Sequence, residues 1–106
     1  MIKKKILIFG STSYFVKNFV KKYKNNFIFY FVDRRITKKN QYTYSNKIIE
    51  IKKILNKTNP EIIIYASSVN DNKYSENKID EFLKINVINP LRIVDIIKDN
   101  KNIKFF

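Results

Sequence analysis

Three short stretches of the chain are apolar without a break: Ile6-Leu7-Ile8-Phe9, the run FIFYFV at 27–32, and Ile62-Ile63-Ile64-Tyr65-Ala66. A strand with one face in water alternates apolar and polar residues, because successive side chains point to opposite faces. Unbroken runs therefore predict strands covered on both faces. Between them the periodicity is helical. Val16, Phe19, Val20 and Tyr23 share one helical face, and so do Ile48, Ile51, Ile54 and Leu55. A third stripe, Phe82, Leu83, Val87, Leu91, Val94 and Ile97, runs to about Lys98, and Ile103 to Phe106 opens a fourth main strand. Tyr42-Thr43-Tyr44 adds a short strand. Buried strands alternating with amphipathic helices predict an α/β fold of three layers, with a parallel sheet and right-handed crossovers. With the second strand on one side of the first and the later strands on the other, a topological switch point falls beside strand one. Open α/β sheets bind ligands there, at the carboxyl ends of the strands. Gly10, Asp33 and Ala66-Ser67-Ser68 fall at those ends.

Helix signals agree with this order. Ser11 or Thr12 is expected to cap the first helix, and Lys21, Lys22 and Lys24 suit its C-terminal end. Asn46 is the expected cap of the second helix, which Asn59-Pro60 should stop. Pro90 lies inside the third stripe and should bend it or start a new turn, because it lacks a donor N–H. A length of 106 residues suits one domain, 1–106, with one modest core.

Composition removes several chemistries. With no cysteine there is no disulfide, thiol nucleophile or cysteine-bound metal, and with no histidine the commonest general base is missing. The formal net charge of +13 taken alone points to an anionic partner such as nucleic acid. The lysines are spread along the chain, however, with short clusters such as Lys3-Lys4-Lys5, and Lys, Asn and Ile are abundant together, as AT-rich coding produces. A sequence-blind nucleic-acid binder is therefore a minor alternative. No apolar run has the length of a membrane span, and Ile6 to Phe9 is too short for a signal peptide, so a cytoplasmic location is expected.

KILIFGSTSYFVKNFVKKY, Asp33, NPEIIIYASS and FLKINVINPLRIVDIIK follow one another at the spacing of a known pattern. They resemble the opening of the NAD-dependent epimerase/dehydratase family, the extended short-chain dehydrogenases, over essentially the whole chain. There the first turn reads G-x-x-G-x-x-G. The resemblance implies a Rossmann-like fold, truncated here after the start of the fourth main strand, with NAD as cofactor and NADP as the alternative. It implies that Gly10 makes the tight turn and that N–H groups near Thr12, Ser13 and Tyr14 face the pyrophosphate. Asp33, 23 residues after Gly10, would accept from the adenosine ribose hydroxyls and repel a 2′-phosphate. Arg34 and Arg35 could offset that repulsion. Ala66 and Ser67 would line the cofactor trough, and Asn86 matches the family's asparagine.

This chain departs from the pattern at two glycines. Ser13 stands at the second, whose role is close backbone approach to the pyrophosphate, and Val16 stands at the third, whose role is close packing of helix on sheet. Ser13 can retain part of the binding through its hydroxyl. Val16 reads as core packing and should push the helix outward. The family's adenine-contacting Asp is also missing, with Ser45 or Asn46 near its place. Weakened dinucleotide binding is expected.

The family's chemistry uses a Tyr-x-x-x-Lys pair beyond the fourth main strand, with the lysine making the tyrosine acidic enough for proton transfer. Tyr74-Ser-Glu-Asn-Lys78 has the spacing but lies in the loop after the third main strand, where it reads as chance. Asp71, Asp80 and Glu81 read as a solvated face or caps, Ser67-Ser68 lacks a base, and Asp95 and Asp99, on one helix face, are expected to form salt bridges to Arg92 or Lys98. No catalytic residue is assigned. The leading expectation is the dinucleotide-binding portion of a nucleotide-sugar epimerase, dehydratase or reductase, not catalytic alone. The alternative is a degenerate Rossmann module that has dropped its cofactor and pairs with another protein or with itself.

Overall fold

The structure is a computed structural model that describes residues 3–33, 41–43, 47–67, 83–100 and 102–106. The chain runs β1 (Lys4–Phe9), α1 (Tyr14–Tyr23), β2 (Phe27–Asp33), β3 (Gln41–Thr43), α2 (Ile48–Thr58) and β4 (Ile62–Tyr65). A π-helical turn (Lys84–Ile88) then leads into α3 (Asn89–Ile97) and β5 (Lys104–Phe105). The five strands form one parallel sheet in the order β3-β2-β1-β4-β5. This is the α/β Rossmann-like arrangement that the unbroken apolar runs predict, with the switch point between β1 and β4.

β1 lies at the centre, and Ile6, Leu7, Ile8 and Phe9 are at most 1% exposed. Their alternation divides the core. Leu7 and Phe9 pack with Val32, Ile63, the α2 residues Ile51, Ile54 and Leu55, and the α3 residues Ile93 and Ile97. Of the third stripe expected from the sequence Ile97 is buried, while Leu83, Val87, Leu91 and Val94 are exposed. Ile6 and Ile8 pack with Val16, Phe29 and Phe31 under α1. Each such side chain contributes about 1.5–3 kcal/mol on full burial. The α1 face is aromatic: Phe19 meets Phe29 edge-on, Tyr23 meets Phe27, and Phe29 stacks on Phe31.

The helix ends show how the expectations fared. α1 is capped by Ser13, not by Ser11 or Thr12: the Ser13 Oγ accepts from the Val16 N–H at 3.2 Å. The cap falls one residue beyond Thr12 and two beyond Ser11, whose hydroxyl is taken by a buried hydrogen bond to Asp33. Asn46 lies outside the described residues; the position before α2 is Lys47, which makes no side-chain cap. At the other end Asn59 takes the left-handed conformation, φ 45°, and its N–H reaches the Leu55 carbonyl at 2.8 Å. Asn is one of the few residues that adopt this cap readily, and Pro60 behind it cannot continue a helix.

Pro90 acts differently from a simple bend. In the π-helical turn the Asn89 N–H bonds to the carbonyl of Lys84, five residues back. In that register the Ile85 carbonyl would meet residue 90, and proline has no N–H to give. The Tyr65 hydroxyl of β4 donates to it instead, at 2.6 Å. The proline thus comes with a wider turn, and a sheet tyrosine holds that turn over the end of β4. Asp95 pairs with Lys98 at 3.0 Å on the exposed face of α3, one of the two partners expected. Among the described residues no helix is long and apolar enough to cross a membrane.

Candidate functional site at the switch point of the sheet

Gly10 closes β1 with φ +92°, a conformation that L side chains rarely adopt. A Cβ there would stand 2.8 Å from both the N and Oγ of Ser67 and 2.9 Å from its Cα. The Gly10 N–H donates to the Val32 carbonyl at 2.9 Å, and the Ala66 N–H to the Phe9 carbonyl at 2.8 Å. The turn is thereby tied to β2 on one side and to the end of β4 on the other. The chain's single glycine occupies a position that requires one both for conformation and for space.

Asp33 ends β2 and is buried, 9% exposed. A buried carboxylate must be hydrogen-bonded to stay charged at acceptable cost. Ser11, only 2% exposed, supplies two donors: its N–H reaches Oδ1 at 2.7 Å and its hydroxyl reaches Oδ2 at 2.6 Å. The Gln41 side-chain amide supplies a third, to Oδ2 at 2.6 Å. The acid that the sequence singles out is thus bonded to the turn after β1 and to the first residue of β3. Ser11 and Gln41 were not anticipated in these roles. Ser11 has a legible signal, a hydroxyl residue directly after the turn glycine. Gln41 has none, because its reach depends on the register that sets it opposite Phe31.

The other expected positions lie around this centre. Ser13 has φ −68° and ψ 149°, ordinary extended backbone, so the missing second glycine causes no strain. What changes is the start of the helix. The Ser13 hydroxyl oxygen occupies the Val16 N–H, leaving Tyr14 and Phe15 to head the helix with no intrahelical acceptor for their N–H groups. Val16 is 1% exposed and packs with Ile6, Ile8, Phe29 and Phe31, so at the third glycine position it is core. Thr12 and Tyr14 are exposed at the turn. Ala66 and Ser67 are half-buried at the end of β4, and Asn86 is half-buried in the π-helical turn. Arg34, Arg35, Ser45, Ser68, the 74–78 Tyr/Lys pair and the 71, 80 and 81 carboxylates lie outside the described residues.

A groove of about 190 Å³, lined by Ser11, Lys17, Val20, Lys21 and Phe31, runs between α1 and β2. It is smaller than the ~300–1,000 Å³ of most small-molecule clefts. Among the described residues no three His, Cys, Asp or Glu side chains group to hold a metal ion.

Neither a protein-family model nor a curated protein matches the sequence. Solved structures match the fold. The L-threonine dehydrogenase of Phytophthora infestans aligns with a TM-score of 0.79 at 15% identity, over 97% of this chain and 35% of that one. The UDP-glucose 4-epimerase of Thermotoga maritima aligns at 0.77 and 19% identity, over 95% of this chain and 36% of the other. The enzyme WbmH of Bordetella bronchiseptica, solved with NAD+, aligns at 0.74 and 11% identity, over 98% and 38%. The chain spans little more than a third of each of these proteins. At such identities the likeness establishes a shared Rossmann-like fold.

Proposed function

We propose that the chain is the dinucleotide-binding portion of an NAD-dependent epimerase/dehydratase-like enzyme of the nucleotide-sugar class, and that it does not catalyse alone. The observation that carries this reading is the convergence of Gly10, Ser67, Ser11 and Asp33 at the switch point of the sheet. The residues fit a dinucleotide in three respects. The turn has a glycine in the required conformation, two helix-heading N–H groups stand free of intrahelical bonds, and an acid sits at the end of β2. Bound NAD would supply hydride exchange. The chain's own part is to hold the pyrophosphate at Tyr14 and Phe15 and the adenosine ribose at Asp33. The carboxylate favours NAD over NADP, because a 2′-phosphate would meet a like charge.

Calorimetric titration tests this. NAD is expected to give a saturable isotherm that Asp33→Asn weakens about tenfold, the scale of a hydrogen bond to a charged group. No heat at millimolar NAD would overturn the reading. A second reading, a module that pairs through its surface, is favoured by one observation. Leu83, Val87, Leu91 and Val94, at helical spacing, are 41–64% exposed along the π-helical turn and α3. A chain silent to NAD but dimeric in the ultracentrifuge would carry that reading.

A further inference from the structure

The bonds around Asp33 differ in how firmly they are built. Ser11 grips both carboxylate oxygens from within the turn, and both of its bonds are buried. The N–H bond can be released only if the turn after β1 moves, and the hydroxyl belongs to a side chain 2% exposed, so neither donor is readily replaced from solvent. The Gln41 bond is partly buried and comes from the first residue of a three-residue strand at the sheet edge. A glutamine side chain can leave such a position by rotation about its own torsions, with the backbone unmoved.

The acceptor capacity of Asp33 makes this difference matter. A carboxylate has about four lone-pair sites, two on each oxygen. Ser11 and Gln41 together fill both sites on Oδ2, and Ser11 fills one on Oδ1. Among the described residues' bonds this leaves one site, so a diol whose two hydroxyls each donate to the carboxylate needs the site that Gln41 holds.

We infer that Gln41 stands in for a ribose hydroxyl in the free chain, and that dinucleotide binding requires its amide to leave Asp33 Oδ2. The inference rests on the dinucleotide reading above. Gln41 is then a specificity-determining residue. It keeps the buried carboxylate bonded without a ligand, and it admits a ligand that replaces its donor. NAD offers two adjacent donor hydroxyls on the adenosine ribose, whereas NADP offers one beside a phosphate.

The test compares Gln41→Ala and Gln41→Met with the unaltered chain by titration with NAD and with NADP. The methionine variant keeps length and bulk and removes the donor, so folding is preserved, which thermal unfolding verifies. NAD is expected to bind both variants roughly fivefold more tightly, the equivalent of one hydrogen bond no longer displaced, with a smaller gain for NADP. NAD affinity unchanged or weakened in both folded variants, with the unaltered chain binding NAD, overturns the role of Gln41 and leaves the dinucleotide reading standing. NADP tightening at least as much as NAD also overturns it. If neither the unaltered chain nor the variants bind NAD, the dinucleotide reading fails and the role of Gln41 falls with it.

Discussion

The two ends of the parallel sheet satisfy their polar groups in different ways. At the amino ends, Glu61 stitches three strands together, largely through backbone. Its N–H donates to the Lys5 carbonyl at 3.0 Å, its carbonyl accepts from the Lys104 N–H at 3.0 Å, and its carboxylate accepts from the Lys5 N–H. At the carboxyl ends the central acid is held mainly by side chains, Ser11 and Gln41, beside a turn that only glycine fits. The first end is a hem: its bonds extend the ladder, and the left-handed residue there, Asn59, serves as a helix cap. The second brings a buried carboxylate from β2, a positive φ and a helix start together around the turn after β1. A left-handed glycine beside a buried carboxylate, at the end where α/β sheets bind ligands, makes this the candidate site, whereas the hem is architecture.

Substitutions at the two ends should separate these roles. Gly10→Ala is expected to have the largest effect. It places a side chain at φ +92° and 2.8 Å from Ser67, a loss of about 3–5 kcal/mol from strain and overlap together. Chemical denaturation would read this directly, and a loss below that of the next variant would dissolve the contrast. Glu61→Ala at the opposite end should reduce stability by about 1–2 kcal/mol, the scale of a half-buried donor left unpaired. It should leave NAD affinity unchanged; a binding defect would show that the hem also shapes the site. Ser13→Gly should cost a few tenths of a kcal/mol, because glycine is a tolerable N-cap. It also frees the Val16 N–H, so NAD titration should show tighter binding than in the unaltered chain.

Much of this organisation is legible along the chain. Unbroken apolar runs announce strands buried on both faces, and β1 is indeed covered on both sides. Asn59-Pro60 announces a helix stop and supplies a left-handed cap. Gly10 and Asp33 stand out in the sequence as candidate site residues because their types carry physical requirements, a positive φ and a charge at a strand end. Local rules misplaced the cap of α1, since Ser11, Thr12 and Ser13 are all residue types that cap helices. Asp33, 22 residues from Ser11, claims the Ser11 hydroxyl and so removes one of the two expected caps. Pro90 was readable as a disturbance of the helix. That its effect is a wider turn held by Tyr65 was not, because the rescuing hydroxyl comes from another element.

By itself the sequence determined the main strands and helices and their parallel arrangement, and it pointed to the carboxyl ends of the strands as the candidate site. Periodicity and backbone freedom are properties of neighbouring residues, so they can be read in order. Tertiary structure alone decided which donors hold Asp33, which serine starts α1 and how close Ser67 comes to Gly10. Those outcomes depend on strand register and on competition among distant polar groups for the same buried partners. A hydrogen bond takes one donor per lone pair, and which donor arrives is settled when the sheet assembles.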